Sequence, residues 1–276
     1  VCGVCPHACA LSEGRRGLCR ARVAYGGRVV DANYGRVTSI ALDPVEKKPL
    51  ARFRPGSTVL SLGSYGCNLR CPFCQNADIA CAGAEDAAWR YVAPEEAVGL
   101  ALRARDRGCV GVAYTYNEPL VGYEYVRDVG RLASEAGLAN VLVRDGEGER
   151  EARSRAPLLG IVDAANIDLK GFTQGFYDTA GGDLSAVKRT IETLAADPTC
   201  HLEVTTLVIP GLNDDPDEID AAAAWLASPD PPILYHLTRL FPCHRMLDRP
   251  PTPVSALHAL ADVARRHLSD VLLGNC

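Results

Sequence analysis

The stretch "TVLSLGSYGCNLRCPFCQN" (58–76) decides how the rest of the chain is read. It opens as an apolar, strand-like run, "TVLSLG", and Cys67, Cys71 and Cys74 follow almost at once. The three thiols fall within eight positions, with gaps of three and then two residues. Structural zinc and structural iron–sulfur sites ordinarily take four ligands, so this group is one short. Three thiolates hold three irons of a cubane cluster and leave the fourth iron open. An external ligand binds at that opening, and the cluster passes it one electron. Two other readings stand beside this one. One is zinc with a distant fourth ligand; the other is an electron-transfer cluster completed by Cys81, seven positions after Cys74. Phe73 lies between two of the ligands, where a flat ring suits an adenine.

From residue 58 onward, apolar runs alternate with helix-like stretches. The runs are "TVLSLG" (58–63), "GVAYTY" (111–116), "ANVLV" (139–143), "DAANIDL" (163–169), "HLEVTTLVI" (201–209) and "ILYHL" (233–237). The helix-like stretches cover 94–108, 123–137, 184–197, 215–228 and 254–269. Pro94 and the acids after it suit a helix start. Continuous apolar strands suit a parallel sheet covered by helices. Six such units predict an α/β fold, a partial (β/α)6 TIM-like barrel, with "VLLGN" near the end as a seventh strand. A doubly wound open sheet is the competitor. A dinucleotide-binding version is disfavoured, because no Gly-x-Gly-x-x-Gly follows the first strand. In a barrel, function gathers at the C-terminal ends of the strands, and the cysteine triplet lies at such an end.

Residues 1–55 read as a separate cysteine-rich extension, and 56–276 as the barrel with its C-terminal extension. The first part carries short strand-like runs, "RVVDA" and "VTSIAL", and four cysteines, Cys2, Cys5, Cys9 and Cys19. Four thiols suffice for a zinc site or a saturated cubane, and spacing does not separate the two. His7 is able to replace one of them, and a pair of disulfides is the third option. Of twelve cysteines in all, eight bunch in two groups at ligand spacings, which points to metal or cluster binding in a reducing compartment, the cytoplasm. Cys109 and Cys200 read as ordinary buried thiols, and Cys243 as a substrate contact or extra ligand.

With 276 residues and 47% hydrophobic content, the chain has ample material for a core. A net charge of −5 and short, dispersed basic clusters give no nucleic-acid groove. No run of 18 apolar residues exists, so no membrane span is expected. No signal-peptide pattern opens the sequence, and its first residue, valine, leaves room for residues before position 1.

Cys67-x3-Cys71-x-Phe73-Cys74 resembles the signature of radical S-adenosylmethionine (SAM) enzymes, and the resemblance runs over about residues 58–240. It implies a [4Fe-4S] cluster on the triplet that cleaves SAM to methionine and a 5′-deoxyadenosyl radical, which abstracts hydrogen from substrate. It also implies a one-electron reductant such as flavodoxin or ferredoxin. "YTYNEP" (114–119) fills the slot that often reads Gly-Gly-Glu-Pro, with Tyr116 and Asn117 in place of the glycines. There Glu118 would face the methionyl ammonium. "NIDLK" (166–170) is similar to the Asp-x-Lys element of glycyl-radical-enzyme activases. That likeness gives Asp168 a place near ribose, a cation or substrate, and Lys170 one near a carboxylate. A surface salt bridge is the plain reading of Lys170. In "EVTTLVIPGLNDD" (203–215), Pro210 and Gly211 would approach adenine or ribose, Glu203 and Thr205 point inward, and Asn213 and Asp214 read as helix caps. His236 occupies an activase histidine slot, with Arg239 nearby for an anionic group. "LVRDGEGE" (142–149) departs from the family's Thr-Asn-Gly by placing Arg144 at a small position.

The closest resemblance is to the AmmeMemoRadiSam branch. It is carried by "CGVCPHACALSEGRRGLC", "KKPLARFRPGSTVLSLGSYGCNLRCPFCQN", "AYTYNEP", "ANIDLKGF" and "MLDRPPTP". It implies MEMO-like and AMMECR1-like partners and leaves the reaction unnamed. An unassigned hydrogen abstraction is the leading expectation. A glycyl-radical-enzyme activase acting on a partner protein is the alternative, and a noncatalytic zinc or redox scaffold is the second alternative.

Overall fold

The computed structural model describes residues 1–147 and 160–276. Its strands are β1 (Arg22–Tyr25), β2 (Arg28–Asp31), β3 (Arg36–Pro44), β4 (Thr58–Ser64), β5 (Arg90–Tyr91), β6 (Cys109–Tyr114), β7 (Ala139–Arg144), β8 (Ala164–Asp168), β9 (His201–Val208), β10 (Leu234–Arg239) and β11 (Val271–Gly274). The helices are α1 (Ala77–Ala80), α2 (Pro94–Arg103), α3 (Tyr123–Glu135), α4 (Gln174–Ala180), α5 (Leu184–Ala195), α6 (Pro216–Leu226) and α7 (Val254–Ala264). Each of the six apolar runs is a strand, and "VLLG" is the expected further one, paired parallel to β10.

Local chemistry sets the helix starts. Pro94 and Pro216 sit in the first turns of α2 and α6, where a missing N–H costs nothing, and Glu95, Glu96, Asp217 and Glu218 follow where the helix dipole favours acids. Asp215, rather than Asp214, caps α6 by accepting from the Asp217 N–H. Thr173 caps α4, a helix too short to show a clear period in the sequence.

The strands from β4 to β11 pair in the order β4-β6-β7-β8-β9-β10-β11, all parallel. Among the described residues the order never reverses, so they form no topological switch point of the kind a doubly wound sheet requires. β3 adds antiparallel to β4, and β5 antiparallel to β3, giving a mixed sheet of nine strands among the described residues. β1 and β2 form a separate hairpin. The result is an α/β fold with a mixed sheet flanked by helices, as in a partial TIM barrel.

Strand alternation gives the sheet two apolar faces. On the outer face Leu60, Val112, Leu142, Ile167, Val204 and Leu237 pack with Val98, Val129, Ile191, Ile219 and Leu260 of the helices. On the inner face Val59, Ala113, Val141 and Ala164 pack with Val45 and Leu50. Val45 and Leu50 belong to the turn after β3, which folds back inside the sheet and forms its floor. Asn166 Nδ2 donates to the Pro49 carbonyl at 2.8 Å, and Glu203 accepts from the Ala51 and Arg52 N–H groups at 2.9 and 2.8 Å. Thus β3 and the floor, although read as part of the N-terminal extension, are built into the main sheet.

Leu50, part of the floor, is fully buried against the inner face. Truncating it to alanine should remove about 2–5 kcal/mol of stability, read from urea unfolding. A loss below about 1 kcal/mol would show that the floor contributes little packing.

Candidate active site

The C-terminal ends of the parallel strands open on one cavity of ≈ 820 Å³. Cys67, Cys71 and Cys74 line it together with Phe73, Tyr116, Asn117, Glu118, Asp168, Lys170, Thr205 and His236. The period of two explains the gathering. Ile167 and Leu169 point into the outer core, so Asp168 and Lys170 face inward, and His236 does the same between Tyr235 and Leu237.

The cysteine loop is held by its own backbone and by its neighbours. The Cys74 N–H donates to the Cys71 carbonyl at 3.2 Å, and the Arg70 N–H to Ala180 of α4 at 2.7 Å. Arg70 Nη1 donates to the carbonyls of Cys67 and Leu69, each at 2.9 Å. Gly66 enters the loop at φ +91, and a Cβ there would collide with the Cys19 carbonyl, so only glycine suits the position. All three thiols are free. Burial pushes the Cys71 thiol up to about 12 and the Cys67 and Cys74 thiols upward as well. Among the described residues, no three His, Cys, Asp or Glu side chains are arranged to hold a metal ion. Three free thiols on one loop, all facing a roomy cavity, are nevertheless a donor set that fits a cluster with one open iron. Phe73 turns its ring partly toward Phe176, at 5.8 Å between centroids.

The stretch after β6 is more committed than its sequence indicated. Glu118 is buried; its carboxylate accepts from the Leu120 and Asp145 N–H groups, both at 3.0 Å, and lies 3.4 Å from Arg144 Nε. Burial drives its pKa well above the usual carboxylate range, against the pull of Arg144. Arg144, unusual by sequence, is therefore the buried counter-ion of Glu118. Asn117 accepts from the Ser64 N–H at 3.1 Å and donates to the Gly66 carbonyl at 2.8 Å, which ties it to the cysteine loop. Tyr116 has a left-handed backbone at φ +76, and its ring fills the space left by Gly63. Its hydroxyl donates to Asp43 at 2.7 Å, while Lys48 pairs with the same carboxylate at 2.8 Å and lies over the ring. Asp43 and Lys48 escaped the sequence reading. Lys48 had one signal, the "KKPL" stretch (47–50) of the branch resemblance, and Asp43 had none.

Lys170 Nζ lies 2.8 Å from Asp168 Oδ2, an ion pair inside the cavity rather than on the surface. Burial opposes the Lys170 charge, yet Asp168 and the neighbouring anions raise its pKa well above the usual range. Asn213 is no cap. It donates to the Lys170 and Leu207 carbonyls at 2.6 and 2.8 Å and accepts from the Ile209 N–H at 2.6 Å, closing the turn beneath Lys170. Pro210 and Gly211 are not brought to the cavity wall. Gly211 is exposed and donates to Asp214, and Pro210 accepts from Arg249. Cys243 donates to the Phe73 carbonyl at 3.2 Å beside the triplet. Cys109 lies in the core, and Cys200 is half-buried. Of "LVRDGEGE", Gly148 and Glu149 lie outside the described residues.

Cys2, Cys5, Cys9 and Cys19 stand apart from the cavity, and all are free. Burial raises the Cys5 thiol to about 12, with the neighbouring Cys19, Cys2 and Cys9 thiols adding to the rise. The group leans on the triplet loop. His7 Nε2 bonds the Asn68 carbonyl at 2.8 Å, and Arg70 Nη2 donates to the Leu18 carbonyl.

Residues 62–225 match the family model of the Radical SAM superfamily. The uncharacterised protein MJ0808 of Methanocaldococcus jannaschii is 36% identical over 278 residues, covering 99% of this chain and 80% of its own length. Among solved structures, a domain of pyruvate-formate lyase-activating enzyme from Bacteroides vulgatus aligns with a TM-score of 0.51 at 17% identity, covering 60% of this chain and 99% of that one. SuiB of Streptococcus suis bound to its precursor peptide SuiA aligns with a TM-score of 0.61 at 12% identity, covering 79% of this chain and 48% of that one.

Glu203 is fully buried beneath the cavity. Burial alone would raise its pKa, but bonds from His201, His236 and the Ala51 and Arg52 N–H groups outweigh it and hold the carboxyl at about 2 against 4.5. A depressed carboxylate contributes stability above its unfolded pKa and loses it as pH falls through the folded one. Native protein should therefore lose urea resistance between about pH 5 and pH 2 more steeply than Glu203→Gln does. Parallel pH profiles for the two would contradict this.

Proposed function

The chain belongs to the radical SAM superfamily, and on that premise we propose that Cys67, Cys71 and Cys74 hold a [4Fe-4S] cluster serving hydrogen abstraction from a substrate still to be assigned. Enzymatically it is a radical-SAM-type oxidoreductase that uses SAM to generate a radical. One observation carries the proposal: three free thiols share a cavity wall with the Asp168–Lys170 pair, Glu118 and His236. When bound, the cluster supplies one electron from an external reductant, such as flavodoxin or ferredoxin, to split SAM into methionine and the hydrogen-abstracting 5′-deoxyadenosyl radical.

The chain's own residues bind and orient. Lys170, fixed by Asp168, would be the cation for the methionyl carboxylate, and Asp168 would also serve the ribose. Asp145, beside Glu118 and its Arg144 counter-ion on the wall, would suit the ammonium end. Phe73 offers the adenine an apolar edge. The AmmeMemoRadiSam subtype, with MEMO-like and AMMECR1-like partners in the cytoplasm, is the branch we favour, on the sequence stretches that carry it. Cys2, Cys5, Cys9 and Cys19 form the N-terminal unit's own cluster or zinc site. A cluster there, unlike zinc, would suit an electron relay, because the unit touches the triplet loop at Gly66 and His7.

Glycyl-radical activation is the second reading, favoured by the Asp168–Lys170 pair and His236 at one open cavity. A doublet in electron paramagnetic resonance after reaction with a candidate partner enzyme would establish it. Its absence, with label passing from a small molecule into 5′-deoxyadenosine, would eliminate it.

Iron and zinc analysis tests the metal assignment. Anaerobically reconstituted protein with two cubanes should hold about eight irons per chain, falling to about four when Cys67, Cys71 and Cys74 are all changed to alanine. About one zinc and about four irons would move the N-terminal group to zinc. Iron unchanged in the triple variant would remove the cluster from the triplet.

A further inference from the structure

Glu203 sits at the base of the cavity with no exposed surface and accepts four hydrogen bonds. Oε1 takes the Arg52 N–H at 2.8 Å and His201 Nε2 at 2.8 Å. Oε2 takes the Ala51 N–H at 2.9 Å and His236 Nε2 at 2.5 Å. A carboxylate has about four lone-pair sites and no donor. Two of these partners are backbone N–H groups, which can only donate. The remaining site on each oxygen must therefore also receive a hydrogen, and this fixes both histidines with the proton on Nε2. Nδ1 of a neutral His236 is then the acceptor. His236 lines the cavity, and among the described residues its Nδ1 has no hydrogen-bond partner.

We propose that Glu203 is a positioning residue: it locks His236 in the Nε2–H tautomer, so that Nδ1 is presented to the cavity as an acceptor for a hydroxyl or N–H of the bound molecule. The same carboxylate grips the floor at Ala51 and Arg52, so ring orientation and floor position are set by one group. A lone histidine on the wall would be free to exchange tautomers and rotate. This one is held as an outer partner holds a ligating histidine in a metal site. The inference rests on the radical SAM reading only for the identity of the molecule in the cavity. The bonding pattern at Glu203 does not depend on it.

Two measurements test it. First, nitrogen-15 NMR of the histidine rings, with His236 assigned by loss of its signal in His236→Ala, reports the tautomer in protein without SAM. At about pH 8, His236 should show a protonated Nε2 and a bare Nδ1. A protonated Nδ1 overturns the proposal. Glu203→Gln, whose amide cannot accept on both sides, should release the ring into a mixture of tautomers. Should that variant fail to fold, the native spectrum alone still decides.

Second, SAM binding to the cluster-loaded protein is measured in Glu203→Gln, His236→Ala and the double variant. Each single change should weaken binding on the order of tenfold, the equivalent of one good hydrogen bond. The double variant should be no weaker than His236→Ala, because Glu203 acts through the ring. Additive losses, on the order of a hundredfold in the double variant, would mean that Glu203 acts through the floor alone and would overturn the proposal. The ring spectrum is read without SAM. Failure of every form to bind SAM would thus count against the radical SAM reading and leave the tautomer result standing.

Discussion

A parallel strand sends alternate side chains to opposite faces, and this sheet winds through its parallel strands without reversing. That constraint governs everything else in the molecule. Because the order never doubles back, helices cover one face and the other curves around a shared interior. Each strand's C-terminal end then delivers its inward residue to the same place. Cys67 follows β4, Glu118 follows β6, Asp168 ends β8, Thr205 lies on β9 and His236 on β10, and all meet at one cavity although 169 positions separate Cys67 from His236.

The interior would be hollow at its base without the turn after β3. Val45 and Leu50 fill it with apolar volume, and the polar ends of that turn are answered by Asn166 and Glu203 from the strands. A buried carboxylate with four donors is stable; the same carboxylate with one donor missing leaves an unmet buried charge. Floor, sheet and His236 are consequently one cooperative unit, and the strand that brings the floor comes from the N-terminal region rather than from the repeating units.

Much of this was legible in the sequence, and for a physical reason. Strands buried on both faces must be apolar throughout, so the runs at 58–63, 111–116, 139–143, 163–169, 201–209 and 233–237 stand out, and their ends point to the rim of the cavity. The triplet was legible because ligand spacing is local. What stayed hidden depends on distant partners. Tyr116 was visible, but not that its hydroxyl would meet Asp43, 73 positions away, beside Lys48. Glu203 could be placed inward by alternation, but its bonds to Ala51 and Arg52 span about 150 residues. The strand "VTSIAL" was legible, its place beside β4 was not. The Pro210–Gly211 turn misled in the other direction. Asn213 folds it back under Lys170, and Arg249 holds Pro210 on the outside, so the turn stops short of the wall.

We propose that the three thiols and the strand-end residues form a single SAM-cleaving site. The most direct test is 5′-deoxyadenosine formation by the anaerobically reconstituted, dithionite-reduced protein given SAM, alongside Cys71→Ala prepared identically. The native protein should give 5′-deoxyadenosine and methionine in equal amounts, and the variant none above background. Intact SAM with the iron-loaded native protein, or cleavage that persists in Cys71→Ala, would contradict it.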